Sequence, residues 1–155
     1  MTKTVFLNQK GQTLIEAVGA LGVLGIVISA ITLAVTTSLS NATYDKNLTI
    51  ATKYTQQGSE IMQQIRDDNY ATFQNLTGIY CLAQNQTTLT SGPCLVNMDG
   101  FYIRSVQIIQ NGCGQNVSKI TVSTSFKDGK CIAGTYCHTQ IDSLCLSTTN
   151  PVVVP

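Results

Sequence analysis

From Ala17 to Val35 the chain consists of Ala, Val, Leu, Ile and Gly, interrupted only by Ser29 and Thr32. As an α-helix this run rises roughly 28 Å, close to the thickness of a bilayer's hydrocarbon core. No charged residue follows until Asp45. A surface of this kind must be covered by lipid or by other apolar helices, so the chain as a whole is not a simple water-soluble globule. The remainder is short: the chain has 155 residues, 9 Lys+Arg against 8 Asp+Glu, and 11% charged positions. That charge excludes a nucleic-acid binder working through bulk positive potential, and the length leaves room for one small folded body. All six cysteines fall between Cys81 and Cys145, well away from the apolar run.

Residues 1–11 carry Lys3 and Lys10 and no acid. By the positive-inside rule this end stays in the cytoplasm and the rest is translocated. An ordinary signal peptide fits poorly, because the apolar run exceeds a typical h-region and no good A-x-A site follows it. A plain single-pass anchor fits the length but leaves Glu16 without a reason. A carboxylate costs about 2.5–3.5 kcal/mol at mid-bilayer and less near the interface, so it calls for a partner or a role.

The setting of that acid is Lys10-Gly11-Gln12-Thr13-Leu14-Ile15-Glu16. A short basic leader ending in Gly, followed by T-L-I-E opening an apolar helix, resembles the prepilin motif of type IV pilins and type II secretion pseudopilins. The match covers about residues 8–36. The resemblance implies cleavage between Gly11 and Gln12 by a membrane prepilin peptidase, with methylation of the new amino terminus. Glu16 then becomes the fifth residue of the mature chain, and its carboxylate pairs with the amino-terminal cation of a neighbouring subunit. The physics is coherent, since two charges that are each unfavourable in lipid gain most from meeting there. The chain departs from the family pattern at Gln12, where Phe or Met is usual. It departs again at Leu33, where many major pilins have a helix-breaking Pro, and this second departure predicts an unkinked helix. Gly19, Gly22, Gly25 and Ser29 thin one side of the helix, as small residues do where apolar helices approach closely.

Beyond Val35 the composition turns polar with no Pro before Pro93. Tyr44, Leu48, Ala51, Thr55, Gly58, Met62 and Ile65 recur at four- and three-residue steps, with Tyr54 and Ile61 widening the stripe, which predicts an amphipathic stem. Its end is expected in Asp67-Asp68-Asn69-Tyr70, where short polar side chains compete for backbone hydrogen bonds. The domain reading is a leader over 1–11, a helix over 12–69 with its membrane part at 17–35 and its stem at 36–69, and a head over 70–155. The head is expected to open with a loop. Strands are expected over Phe101–Ile109 and Lys119–Phe126, where Ile120, Val122 and Phe126 share one face. Asp128-Gly129 predicts a tight hairpin returning along Cys131–Tyr136, with a short strand near Ile141–Leu146. The fold class is α+β: a long amino-terminal helix whose outer half packs on a small antiparallel sheet, the layout that the pilin resemblance also implies.

Six cysteines in so small a head suit an oxidising compartment and disulfide closure. The spacing leaves 15 connectivities open. The provisional pairing is Cys81 with Cys94, Cys137 with Cys145, and Cys113 with Cys131. Zinc is disfavoured by the lack of a C-x-x-C pair, and haem attachment fails because Gly134 stands where the first Cys of C-x-x-C-H would be. His138 reads as a surface residue, no D-x-D-x-D calcium loop is present, and catalysis has little to stand on. Five N-x-S/T triplets, at Asn41, Asn47, Asn75, Asn85 and Asn116, read as composition. Lys119, Lys127 and Lys130 form only a loose group, with no clear nucleic-acid site.

The sequence thus leads to a non-enzymatic structural subunit with no cofactor or metal. By resemblance it is inserted in the bacterial inner membrane with its N-terminus inside, then built into a cell-surface or periplasmic filament. The implied partners are the membrane, prepilin peptidase, other pilin subunits and the filament assembly machinery. The six-cysteine head leans towards a minor or specialised subunit. The alternative is a membrane-anchored extracellular binding module that never polymerises.

Overall fold

The computed structural model describes residues 12–149 apart from Asn85, Pro93, Val96, Asn97 and Ala133. Residues 1–11, where the leader is expected to end at Gly11, lie outside the described residues. The chain divides into two compact units, residues 1–43 and 44–155. Helix α1, Gln12–Asp68, supplies the described part of the first unit and the opening of the second. It continues through Leu33 without interruption, as expected where no Pro removes a backbone donor.

In the second unit, Asn69 ends α1 and caps a one-turn helix, α2 (Tyr70–Phe73), its side chain accepting from the Thr72 amide at 3.0 Å. Five strands follow: β1 (Gly78–Cys81), β2 (Thr90–Ser91), β3 (Ile103–Gly114), β4 (Val117–Phe126) and β5 (His138–Ser147). They form one antiparallel sheet in the order β2-β1-β3-β4-β5. The fold class is α+β, a long apolar amino-terminal helix followed by this small sheet. The two expected central strands are present. The loop expected at the start of the head instead contains α2, β1 and β2.

The stem stripe lands where the 3.6-residue period places it. Ala51, Thr55, Gly58 and Met62 are buried, and Tyr44, Leu48, Tyr54, Ile61 and Ile65 are half-buried. Opposite them, Val106 and Ile108 of β3 and Ile120 and Val122 of β4 are buried at alternate positions, joined by Phe73, Leu82 and Leu146. A second cluster of Ala51, Met98, Tyr102 and Phe126 extends the core, with Tyr44 and Leu48 against it. Gly58 sits where helix and sheet come closest: a Cβ there would lie 2.7 Å from Val122 Cγ1 and 3.2 Å from Arg104 Cδ. The one glycine of the stripe is thus the residue that lets the sheet approach.

The two Asp-Gly pairs behave differently. Asp99 and Gly100 both take positive φ (47° and 65°), and the Phe101 amide donates to the Met98 carbonyl at 3.0 Å, closing a tight turn of primed type. Asp128 and Gly129 take no positive φ, and the turn there runs one residue later, from the Asp128 carbonyl to the Cys131 amide at 3.2 Å. The hairpin expected there is corrected to a longer connection from β4 to β5, with Phe126 paired to His138 and positive φ at Gly134. The tight hairpin of the sheet is the one between β3 and β4, where Gly114 pairs with Val117.

Candidate functional site

Two regions bear on function: the apolar half of α1, and the disulfide-bearing loops of the head. Along α1 every residue from Thr13 to Thr43 is exposed, including Leu14, Ile15, Leu21, Leu24, Ile26, Ile28 and Ile31. The helix is long and apolar enough to cross a membrane. The two hydroxyls within the apolar run present little polarity, because each donates back to the carbonyl four residues earlier: Ser29 to Gly25 at 2.8 Å and Thr32 to Ile28 at 2.9 Å, as Thr37 does to Leu33 at 2.9 Å just beyond it. Such back-bonding satisfies the hydroxyl inside the helix and leaves a surface that lipid can cover. Glu16 is exposed at the start of this surface, and it is the one charged residue between Gly11 and Asp45. Gln12 opens the helix. At Gly19, Gly22 and Gly25 a Cβ would meet nothing within 4 Å.

All six cysteines are paired: Cys81 with Cys94, Cys113 with Cys145, and Cys131 with Cys137. The first pairing is as expected and the other two correct the provisional assignment. Cys137 immediately precedes β5 and Cys145 lies near its far end, so an extended strand holds their Cα atoms roughly 26 Å apart, far beyond disulfide reach. Cys113 reaches Cys145 because β3 loses register with β4 between Ile109 and Gly114. The displaced segment folds over Lys119 on the outer face, where a Cβ on Gly112 would lie 2.7 Å from the Lys119 Cβ. The bond therefore ties β3 to β5 across β4.

Arg104 is wholly buried beneath the helix, a residue that the sequence reading passed over. Its guanidinium donates to the carbonyls of Leu82 (3.0 Å), Ala83 (2.8 Å) and Tyr54 (3.1 Å), joining β3 to the loop after β1 and to α1. Burial pulls its pKa down to about 10. Nearby, the Tyr54 hydroxyl donates to the Asp99 carboxylate, and this hydrogen bond, with burial, pushes the phenol up to about 12. Burial also raises Tyr102, whose ring packs on Tyr54 with centroids 5.3 Å apart.

The connection from β4 to β5 brings together residues that no C-x-x-C spacing marks. Potential ligand atoms of Asp128, Cys131, Cys137 and His138 all lie within 4.8 Å of one another. His138 Nε2 is 3.2 Å from Asp128 Oδ1, and Cys131 Sγ is 3.5 Å from the same oxygen. Asp128 Oδ1 also accepts from the Lys130 amide at 2.9 Å; that bond, followed by the His138 contact, holds the carboxyl below its usual range. The signal available in the sequence was His138 directly after Cys137, with Asp128 three residues before Cys131. His138 is half-buried, its ring 5.0 Å from Tyr44 and 5.1 Å from Phe126, so it is not the surface residue expected. No family model, curated protein or solved structure matches this chain.

Proposed function

We propose that this chain is a pilin-like structural subunit, cleaved after Gly11, held in the membrane by residues 17–35, and assembled into a filament through α1. The observation that carries this reading is the wholly exposed apolar half of α1, with Glu16 as its one acid, ahead of a head that has its own core. In lipid or in a bundle of like helices, a carboxylate at that position gains most from a cation presented at the same depth. A processed amino terminus four residues before it would supply one. The glycines at 19, 22 and 25 leave room for a neighbouring backbone to come close.

Intact mass and amino-terminal sequencing of protein made in prepilin-peptidase-competent cells test the reading. A chain beginning at methylated Gln12, and loss of filaments on Glu16→Ala with membrane insertion unchanged, are the expected results. A chain that retains its leader, with surface display indifferent to Glu16→Ala, would leave the membrane-anchored binding module in its place. A Gln12 cyclised to the neutral lactam would remove the cation that Glu16 is to meet.

A further inference from the structure

The loop between β4 and β5 is closed in this structure by the Cys131–Cys137 disulfide, yet the groups around those sulfurs make up a complete zinc donor set. We propose that when a dithiol reductant opens this bond, Asp128, Cys131, Cys137 and His138 bind one zinc ion, so that the loop has two mutually exclusive closures, covalent and metal-bound.

The stoichiometry is simple. The reductant's two thiols become its own disulfide, and their two hydrogens pass to the sulfurs of Cys131 and Cys137. Zinc then displaces both thiol protons to solvent and takes two thiolates, one carboxylate oxygen and one neutral imidazole nitrogen. In a tetrahedron with Zn–S near 2.3 Å and Zn–N or Zn–O near 2.0–2.2 Å, donors stand roughly 3.3–3.8 Å apart. The four donor atoms already lie within 4.8 Å of one another, and the two sulfurs become free to separate once the bond between them is gone.

Three further features favour the site. His138 begins β5 in register with Phe126, with its ring against Tyr44 and Phe126, so the imidazole that directs Nε2 towards Asp128 is held by packing. Asp128 is held by the Lys130 amide. Two thiolates and a carboxylate around Zn²⁺ leave a net charge of −1, beside Lys127 and Lys130 of the same loop. All four ligands lie in the single stretch from Asp128 to His138, so the donors stay close along the chain even where the reduced sheet loosens.

The test uses the full chain, reduced with dithiothreitol, freed of reductant without air, and titrated with cobalt(II) and then with zinc. One equivalent of cobalt should bind with thiolate charge-transfer and tetrahedral ligand-field bands, and zinc should displace it. Zinc should slow iodoacetamide alkylation of Cys131 and Cys137, whose thiolates it occupies, and leave the other four cysteines unaffected. His138→Ala should weaken cobalt binding by more than about 100-fold, since losing a ligand exceeds losing an outer partner. The oxidised chain should take up no cobalt. No thiolate–cobalt spectrum, zinc protection spread evenly over six cysteines, or affinity unchanged by His138→Ala would each overturn the proposal. Even protection counts against it whether or not the reduced sheet stays folded, because the ligands are local in sequence.

Discussion

Between Thr13 and Thr43 no side chain of α1 is buried, whereas between Tyr44 and Asp68 the same helix buries Ala51, Thr55, Gly58, Ser59 and Met62. Both stretches are helical, but for different reasons. The first is apolar on all sides from Ala17 to Val35, where Ser29 and Thr32 are bonded back into the helix, and a helix that pairs its backbone groups internally is what a medium without water requires. The second is polar on its outer side and is held by a stripe that the sheet covers. The same residue type therefore has opposite meanings in the two: a leucine or glycine in the first is a surface offered to something else, and in the second a fitted part of the core.

The sharpest way to break this comparison is to truncate one large apolar side chain in each half. Met62→Ala should destabilise the head by about 2–5 kcal/mol, seen as a lower urea midpoint at unchanged slope. Leu24→Ala should stay within about 0.5 kcal/mol by the same measurement and instead weaken membrane retention. Equal effects on the head would mean that the first half is packed after all.

Glycine gives a smaller contrast, with opposite signs. Gly58→Ala adds a methyl group 2.7 Å from Val122 Cγ1; overpacking costs about 1–3 kcal/mol against a gain of up to about 1 kcal/mol in helix propensity, so the head should lose stability. Gly22→Ala gains the propensity alone, since nothing lies within 4 Å, and should raise the detergent-solubilised chain's helicity while leaving the head's midpoint where it was. In a filament the order should reverse, with Gly22 the sensitive position if its space is used by a neighbour.

The smallest effect concerns the polar edge of the stem. Tyr54→Phe should cost about 0.5–1 kcal/mol at neutral pH, from one partly exposed hydrogen bond to Asp99. Because the folded phenol titrates at about 12 against an ordinary 10.0, its contribution is complete below pH 10 and is lost as pH rises through about 12. The variant should flatten that alkaline limb of an unfolding-midpoint profile, and no counterpart exists in the first half, which holds no tyrosine between Gln12 and Thr43.

What could be read from the sequence follows the same division. The apolar run, the stem stripe and β4 were legible because each repeats one period over a long window, and Ile120, Val122 and Phe126 are buried as the alternation requires. β1 and β2 were not, since four and two residues are too few to show a period; they exist through pairing with β3 and with each other. β5 was only partly visible, because its inward positions include His138, Gln140 and Asp142 while Ile141 points outward and is 64% exposed. Asp142 is accommodated there by the Ser59 hydroxyl, which donates to it at 2.6 Å. Arg104 gave no signal because the carbonyls of Leu82, Ala83 and Tyr54 that it serves are main-chain groups, which no side-chain pattern reveals. Near the amino-terminal end of α1, Glu16 stands exposed. For the cysteines, spacing was a poor guide because two strands, not loop lengths, decide which sulfurs can meet.

The bond between Cys113 and Cys145 has a mechanical consequence. It bypasses β4, so a pull entering through the chain beyond Cys145 passes covalently into β3 and never reaches the hydrogen-bond ladder that joins the earlier part of β5 to β4. Unzipping the edge strand residue by residue, the weakest way for a sheet to fail under tension, is closed off from that end. The head then yields as a block, at its seam with the stem, and Arg104 is one of the groups that join the two sides of that seam.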